Sequence, residues 1–210
     1  WRRVANSLAL RYYMRISGKK PDVAKAGIEK IAGNPSQYPI IESSDEDATM
    51  HYPGASNDTS WPNNTKFDAS ESNFSRTKMC ATLLEKLQDL EDPRIEVWAA
   101  KVKIPLMVDA GQPAGTNKIV EIGGKQFRVL SPDVVGSTPV NTDPEYVGLP
   151  AGMSGLPFTY NFNPSNNQGA YNPHVSQLSD MYKAASGDML LSRWISAAEV
   201  QFILAEAALK

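Results

Sequence analysis

The sequence predicts a mainly α protein built from helix pairs, with long irregular loops and one small β-hairpin. Apolar residues recur at every third or fourth position over residues 1–17, which is typical of an amphipathic helix. A second strongly apolar segment, residues 200–209, indicates another helix. Two β-rich segments on either side of Gly123-Gly124 indicate the hairpin, because paired glycines suit a two-residue hairpin turn.

Composition narrows the class of protein. The 210 residues are enough for one domain, and 21 Lys and Arg against 23 Asp and Glu give a formal charge of -2. This balance argues against a nucleic-acid-binding protein and against a polybasic membrane-surface protein. No apolar segment approaches the roughly 18 residues that a membrane-spanning helix needs.

Cysteine and histidine are scarce. The single cysteine, Cys80, excludes an internal disulfide and a cysteine-based structural zinc site. The two histidines, His51 and His174, lie far apart and do not form a zinc-protease motif. Histidine-based metal or triad chemistry is therefore limited to what these two residues can supply. Our expectation is that the chain has no metal site, no cofactor and no catalytic residues. The acidic run over residues 42–47 lacks the spacing of a calcium loop and is interpreted as a solvated loop.

The first 33 residues predict a helix pair. Ser17-Gly18 ends the helix of residues 1–17, Pro21 begins a second helix, and Gly33 ends it. A helix–turn–helix of this length matches one tetratricopeptide-type repeat, although no second copy is found in the chain.

Residues 34–72 are predicted to be loop, because prolines and Gly54 interrupt any long element. A third helix is predicted over about 75–90, with its apolar stripe on Met79, Leu83, Leu87 and Leu90 and its end at Asp92-Pro93. Cys80 is interpreted as a small buried apolar residue of this helix rather than a nucleophile.

Residues 101–175 are poorer in charge and richer in Gly, Pro and Asn. The predicted hairpin, residues 118–130, lies here, followed by a long irregular segment whose five aromatic residues favour an ordered loop. The last helix starts at a capping box, Ser196 to Glu199, with Ser192 as an alternative start. Its apolar residues nearly encircle it, so we expect it to be buried between helices, and we expect Trp98 and Trp194 in the core. Both ends of the chain interrupt a helical pattern, which predicts a fragment of a longer protein.

Three segments in order resemble the SusD/RagB family. They are WRRVANSLALRYYMRIS at residues 1–17, Asp92-Pro93-Arg94 after a leucine-rich helix, and AEVQFILAEAA at residues 198–208. The segment YVGLP at residues 146–150 is similar to a loop of one branch of that family. These motifs are interpreted mainly as packing motifs, and Asn6 and Arg11 are expected to bridge helices and loops.

The resemblance implies a SusD-like fold and a function. A Bacteroidetes-type member would be a lipoprotein of the outer membrane, facing outward, with its lipid anchor outside this chain. It would bind a glycan or another nutrient and act with a SusC-like TonB-dependent transporter. The resemblance predicts a single SusD-like domain over residues 1–210, incomplete at both ends. Its parts would be a helix pair (1–33), a helix with a loop-rich region and hairpin (34–175), and the start of C-terminal helical repeats (190–210).

Sugars have apolar C–H faces and polar edges, so candidate ligand residues are aromatics beside amides in loops. Two loops have this mixture. The first loop contains His51, Tyr52, Asn57, Asp58, Trp61, Asn63 and Asn64. The second loop contains Tyr160, Asn161, Asn163, Asn166, Asn167 and Tyr171. The predicted ligand-binding residues are Trp61, Tyr52, Asn63 and Tyr160. The alternative for Trp61 is that it fixes its loop to the core.

Two other functions stay open. A glycoside hydrolase could use two of the 23 acidic residues, although no pair has a diagnostic context. The other hypothesis is a helical scaffold that binds partner proteins, because repeat helices often serve that purpose.

Overall fold

A computed structural model describes residues 1–153, 157–164 and 171–209. The chain divides into two compact units. We call Trp1–Tyr52 with Gly187–Lys210 the helical unit, and Pro53–Ser186 the loop-rich unit. The single domain expected over residues 1–210 stays a prediction.

Seven helices and five strands are present in the described residues. The helices are α1 (Arg2–Ile16), α2 (Pro21–Ala32), α3 (Ser72–Arg76), α4 (Ala81–Asp89), α5 (Arg94–Trp98), α6 (Pro132–Val135) and α7 (Ala197–Ala208). The strands are β1 (Ala48–His51), β2 (Leu106–Val108), β3 (Asn117–Ile122), β4 (Lys125–Leu130) and β5 (Leu191–Ile195). None of the described helices is both long and apolar enough to cross a membrane. The predicted mainly α class is confirmed.

The helix pair α1–α2 is confirmed and packs closely. Pro21 is the first residue of α2, and Gly33 is its C-cap. A Cβ atom on Gly27 would lie 2.4 Å from Cζ of Tyr13, so this glycine lets α1 and its tyrosine ring approach α2. The core of the helical unit consists of buried aliphatic residues from α1, α2, the following loop, β5 and α7: Leu10, Ile31, Ile41, Ile195, Val200 and Ile203.

Polar side chains of α1 connect helices and loops, as predicted. Asn6 Nδ2 donates to the Pro39 carbonyl over 2.8 Å. Arg11 forms a two-pronged ion pair with Glu199 of α7 and donates to the Trp194 carbonyl. These bonds fix the orientation of α1 against two segments that are distant in sequence.

The start of α7 at the predicted cap is confirmed, but its predicted burial on all sides is wrong for the described residues. The Ser196 side chain accepts a hydrogen bond from the Glu199 amide, and Asp47 accepts one from the Ala197 amide. Only one face of α7 is buried, whereas Phe202 is 75% exposed and Leu209 is 89% exposed. The helical unit supplies neighbours to one side of this helix only.

A strand pair was missed in the segment predicted as loop. Strand β1 pairs antiparallel with β5, and the register shifts between Ala48 and Thr49. The residue paired with Ala48 is Ile195, and the residue paired with Thr49 is Arg193, so Trp194 lies in a β-bulge. Trp194 is 57% exposed, and the prediction that it belongs to the core was wrong.

The hairpin of the loop-rich unit is confirmed. Strands β3 and β4 pair antiparallel up to Ile122 and Lys125, and Gly123 and Gly124 both have positive φ, as a primed turn requires. Strand β2 joins the other edge of β4 in parallel and completes the sheet order β2-β4-β3. The short β2 has too few residues to show a period in the sequence.

The predicted helix over 75–90 is wrong in its first half. Helix α3 ends at Arg76 and α4 begins at Ala81, with an extended segment between them. The extended segment forms tertiary hydrogen bonds: the Met79 amide donates to the Ser176 carbonyl, and the Met79 carbonyl accepts from the Leu149 amide. These bonds replace the helical bonds that local periodicity had predicted.

The apolar stripe of α4 differs accordingly. Ala81, Leu84 and Leu87 are buried, whereas Leu83 is 42% exposed and Leu90 is 61% exposed. Cys80 lies at the N-cap of α4 and is exposed, so its predicted burial was wrong. A second core cluster includes residues of α4 and α5, and Trp98 packs against it. Its buried residues are Met79, Leu84, Leu87, Ile95, Ala99 and Tyr146.

A buried polar network lies beside the sheet. His174 is fully buried, and its Nδ1 bonds to the Ile104 carbonyl over 2.6 Å. A carbonyl only accepts hydrogen bonds, so Nδ1 carries the proton and Nε2 accepts from Nε of Arg128 over 2.9 Å. Arg128 also donates to Asn117 Oδ1. Burial lowers the pKa of His174, which keeps the imidazole neutral.

Candidate functional site

The candidate site is a loop of the loop-rich unit that contains Trp61. The Trp61 amide donates to the Ala185 carbonyl over 2.8 Å, and the Trp61 carbonyl accepts from the Asn64 amide and from Asn64 Nδ2. The indole is half-buried, with its N–H edge turned inward. The loop is therefore fixed to the unit, and part of an ordered aromatic face stays exposed.

A tyrosine from a distant segment extends this aromatic surface. The Tyr182 ring lies 6.3 Å from the Trp61 ring, centre to centre, with the two planes tilted by 36°. Phe67, on the same loop, is 40% exposed, and Lys66 Nζ lies 5.0 Å from its ring centre. We name Trp61, Asn63, Phe67 and Tyr182 the Trp61 surface. No local sequence pattern indicates Tyr182, because only tertiary pairing brings residues 182–185 beside residue 61.

Asn63 supplies an amide at this surface. Its Oδ1 accepts from the Thr77 hydroxyl over 3.2 Å, which holds the side chain in place. In the part of the chain that the structure describes, its NH₂ group bonds to no protein atom. An amide that is oriented yet retains free donors suits hydroxyl groups of a ligand.

The two other predicted ligand residues lie in different surroundings. Tyr160 is half-buried, its carbonyl accepts from Asn172 Nδ2, and burial raises the pKa of its hydroxyl. Tyr52 belongs to the helical unit, where its hydroxyl bonds to the Ser192 hydroxyl over 2.8 Å. The structure thus joins Trp61 and Asn63 in one loop and holds Tyr160 and Tyr52 by separate contacts.

Several amides of the two Asn-rich loops have internal roles. Asn64 is 3% exposed and caps its own loop through Trp61 and Phe67. Asn161 is 3% exposed and exchanges hydrogen bonds with the backbone of Asn141. Asn166 and Asn167 lie outside the described residues. Asparagine content alone does not show which amides of these loops have structural roles.

Hydrogen bonds perturb the pKa of four described carboxyl groups. A general acid needs a carboxyl group with a raised pKa. These four groups have a lowered pKa instead, because the hydrogen bonds that they accept favour the charged form: Asp68, Asp92, Asp109 and Asp133. Within the described residues, no group of three His, Cys, Asp or Glu side chains could hold a metal ion.

A cleft lies in the helical unit, outside the candidate loop. Its volume is about 460 Å³, and its walls come from the end of α1, the start of α2 and the end of α7, including Met14, Ala24, Ile28 and Ala207. It contains none of the four predicted ligand residues.

Comparison with solved structures identifies the class of fold. The structure is similar over 100% of this chain to a chitin-binding protein, with a TM-score of 0.57 and 20% identity. It is similar over 99% of the chain to a SusD homolog from Bacteroides fragilis NCTC 9343, with a TM-score of 0.55 and 18% identity. The chain spans 35% of the length of each of these proteins. The fold is therefore a SusD-like helical fold with tetratricopeptide-like helix pairs and long loops.

A family model identifies the chain more closely. Residues 1–126 match the SusD-like_2 model, described as starch-binding and associating with the outer membrane. The match covers more than half of the chain, and the chain belongs to this family. The resemblance seen in the sequence motifs is thereby confirmed. No curated protein sequence matches the chain. The family is described by carbohydrate binding, not by catalysis.

Proposed function

We propose that this protein is a non-catalytic glycan-binding protein of the cell surface that delivers oligosaccharides to a SusC-like TonB-dependent transporter. The observation that carries the proposal is the Trp61 surface, present in a chain that belongs to a starch-binding family. An ordered, half-exposed indole can stack on the C–H face of a sugar, and the neighbouring Asn63 amide can donate to its hydroxyl groups.

The proposed location is the outer face of the outer membrane, through a lipid anchor. The family's association with the outer membrane supports this location. A glycan receptor held there would capture polymers or oligomers before they enter the transporter. Trp61 and Asn63 are the ligand residues for which the geometry gives most support, and Tyr160 and Tyr52 stay proposed contributors.

Binding is tested by calorimetric titration with a panel of plant, host and bacterial polysaccharides, with reducing ends measured in parallel. We expect saturable binding without hydrolysis, weakened about tenfold or more in Trp61→Ala and partly restored in Trp61→Phe, because a phenyl ring keeps a stacking face. Trp194→Ala is the matched control, since Trp194 is an exposed tryptophan of the other unit. Hydrolysis of the glycan would instead establish an enzyme.

Transporter delivery needs its own test. We expect a TonB-dependent transporter to co-purify with the tagged protein from outer membranes, and deletion of the binding protein to slow growth on the bound glycan. Capture of protein partners without any glycan binding would favour the scaffold function instead.

A further inference from the structure

Two lysines of the loop-rich unit converge on one tyrosine ring. Lys103 Nζ lies 4.6 Å and Lys78 Nζ lies 5.1 Å from the centre of the Tyr171 ring. Both distances are within the range of cation–π attraction, so the ring favours this placement of the two ammonium groups. The arrangement concentrates two positive charges at a half-buried aromatic side chain.

Backbone pairing fixes the positions of both lysines. Lys78 forms an antiparallel bridge with Gln177. The Ile104 amide, directly after Lys103, donates to the Pro173 carbonyl over 3.0 Å. The segment that follows Tyr171 is therefore held between the two lysine-bearing segments, and the convergence is a property of the fold.

Neither charge is compensated by an acidic group. Other lysines of the unit form ion pairs, as Lys101 does with Glu145 and Lys183 with Glu71. No carboxylate of the described residues pairs with Lys78 or Lys103, and the Lys78 ammonium donates to the Ser75 carbonyl only. Burial lowers the pKa of Lys78 to about 8, which reflects the cost of an unpaired charge at this place.

A buried amide beside Lys78 is also incompletely bonded. Gln177 is 5% exposed, and its Nε2 donates to the same Ser75 carbonyl that Lys78 uses. Its Oε1 is buried without a hydrogen-bond donor among the described residues. An amide oxygen only accepts hydrogen bonds, so this place does not attract an anion, and the donors available at this corner are the two ammonium groups.

We infer that Lys78 and Lys103, which both lie against the Tyr171 ring, bind anionic substituents of an acidic glycan, either uronic acid carboxylates or sulfate esters. The inference rests on the proposed glycan-binding function and specifies the ligand class. An anion beside either ammonium group would form a charge-assisted hydrogen bond and would compensate a charge that no described carboxylate pairs.

The test compares each charged glycan with the same glycan whose anionic groups are esterified or removed. Tetragalacturonate is titrated beside its fully methyl-esterified form, and a chondroitin 4-sulfate tetrasaccharide beside its desulfated form. We expect at least tenfold tighter binding of the charged member in one of the two pairs, and the pair that shows it identifies carboxylate or sulfate as the recognised group. The preference should decrease as the salt concentration rises.

Substitutions of single lysines test whether the preference for charged ligands depends on Lys78 and Lys103. Lys103→Gln and Lys78→Gln should each reduce the preference for the charged ligand about tenfold, whereas Lys78→Arg should retain most of it. Lys118→Gln removes the same formal charge from an exposed position on β3 of the same unit and should leave the preference unchanged. Lys103 is exposed, so its variant tests the inference even where Lys78→Gln fails to fold.

The outcomes separate the inference from the proposed function. Equal binding of charged and neutral glycans overturns the acidic-ligand inference and leaves glycan binding established. If Lys118→Gln reduces the preference for the charged ligand as much as Lys78→Gln and Lys103→Gln do, the inference is also overturned. The preference would then come from the overall charge of the unit rather than from the two lysines. Failure to bind every glycan overturns both.

Discussion

Arg11 and Glu199 lie 188 residues apart in sequence and form a two-pronged ion pair, with Nε to Oε1 at 2.5 Å and Nη2 to Oε2 at 2.6 Å. The same guanidinium donates to the Trp194 carbonyl in the bulge of β5. The hydrogen bond that Arg11 donates to Glu199 is the main reason that the pKa of Arg11 is raised. One side chain of α1 thus secures both the strand that precedes α7 and the first turn of α7.

Removing this pair should destabilise the protein. We expect Arg11→Gln to lower the free energy of unfolding by about 1–2 kcal/mol and Glu199→Gln by about 1 kcal/mol, because the pair is partly exposed and Arg11 also loses a carbonyl partner. Urea denaturation measures the loss of stability in each variant, and a double-mutant cycle measures the interaction energy of the Arg11–Glu199 pair. The exposed pair Lys25–Glu29 is the control, with an expected cost below about 0.5 kcal/mol for Lys25→Gln. Equal effects in Arg11→Gln and Lys25→Gln would contradict a structural role for the long-range pair.

The His174 network predicts acid sensitivity above the range in which carboxylates titrate. The folded-state pKa of His174 is lowered, so the unfolded chain binds more protons, and the free energy of unfolding falls as the pH drops below about 6.5. The Arg128 guanidinium faces the ring and opposes its protonation. We expect the free energy of unfolding, measured by urea denaturation, to fall between pH 7 and pH 5 by at most about 1.4 kcal/mol per pH unit.

His174→Gln is the diagnostic variant for this effect. A glutamine side chain has both a donor and an acceptor amide atom but does not titrate. Its stability should therefore change little between pH 7 and pH 5, whatever its stability at pH 7. A decrease as large as that of the unsubstituted protein would assign the acid sensitivity to other groups.

Gly148 explains part of the motif at residues 146–150. A Cβ atom on Gly148 would lie 2.2 Å from the Ala81 Cα and 2.5 Å from the Ala81 amide nitrogen. These atoms belong to a backbone that cannot move without breaking the Ala81 to Leu149 hydrogen bond. We expect Gly148→Ala to cost about 2–3 kcal/mol in thermal or urea unfolding. Gly18→Ala, where no atom lies within 4 Å, should be close to neutral, and similar losses in both variants would refute the steric explanation.

Lys78 should react with amine reagents at unusually low pH. With a pKa of about 8, its ammonium group loses its proton as the pH rises through that value. We expect the rate of acetylation at Lys78, followed by peptide mass spectrometry, to level off above about pH 9. Lys101, whose pKa is raised by its hydrogen bond to Glu145, should continue to gain reactivity above pH 10. Parallel profiles for the two lysines would show that Lys78 is an ordinary surface amine.

Local patterns predicted several elements correctly. The α1–α2 pair follows from apolar spacing and from the positions of Pro21 and Gly33, and the hairpin follows from Gly123-Gly124. These signals work because a helix boundary or a tight turn is decided by the backbone preferences of a few adjacent residues. The assignment of Asn6 and Arg11 as bridging residues came from family resemblance, and the structure supplies their partners.

The site was less predictable from sequence. Trp61 and Asn63 are predicted ligand residues because they place an aromatic ring and an amide in a loop without apolar periodicity. Tyr182, which extends the Trp61 surface, and Lys78 and Lys103, which meet at Tyr171, carry no local signal. Each depends on hydrogen bonds between segments that are far apart in the chain.

The sequence by itself determined the helical class, the family and the elements whose boundaries depend on adjacent residues. The tertiary structure alone decided that residues 77–80 are extended, that β1 pairs with β5, and that Trp194 is exposed. The physical reason is the same in each case. A backbone amide forms a hydrogen bond with a distant carbonyl when that arrangement satisfies more buried polar groups than the local helix would, and local periodicity contains no information about the distant partner.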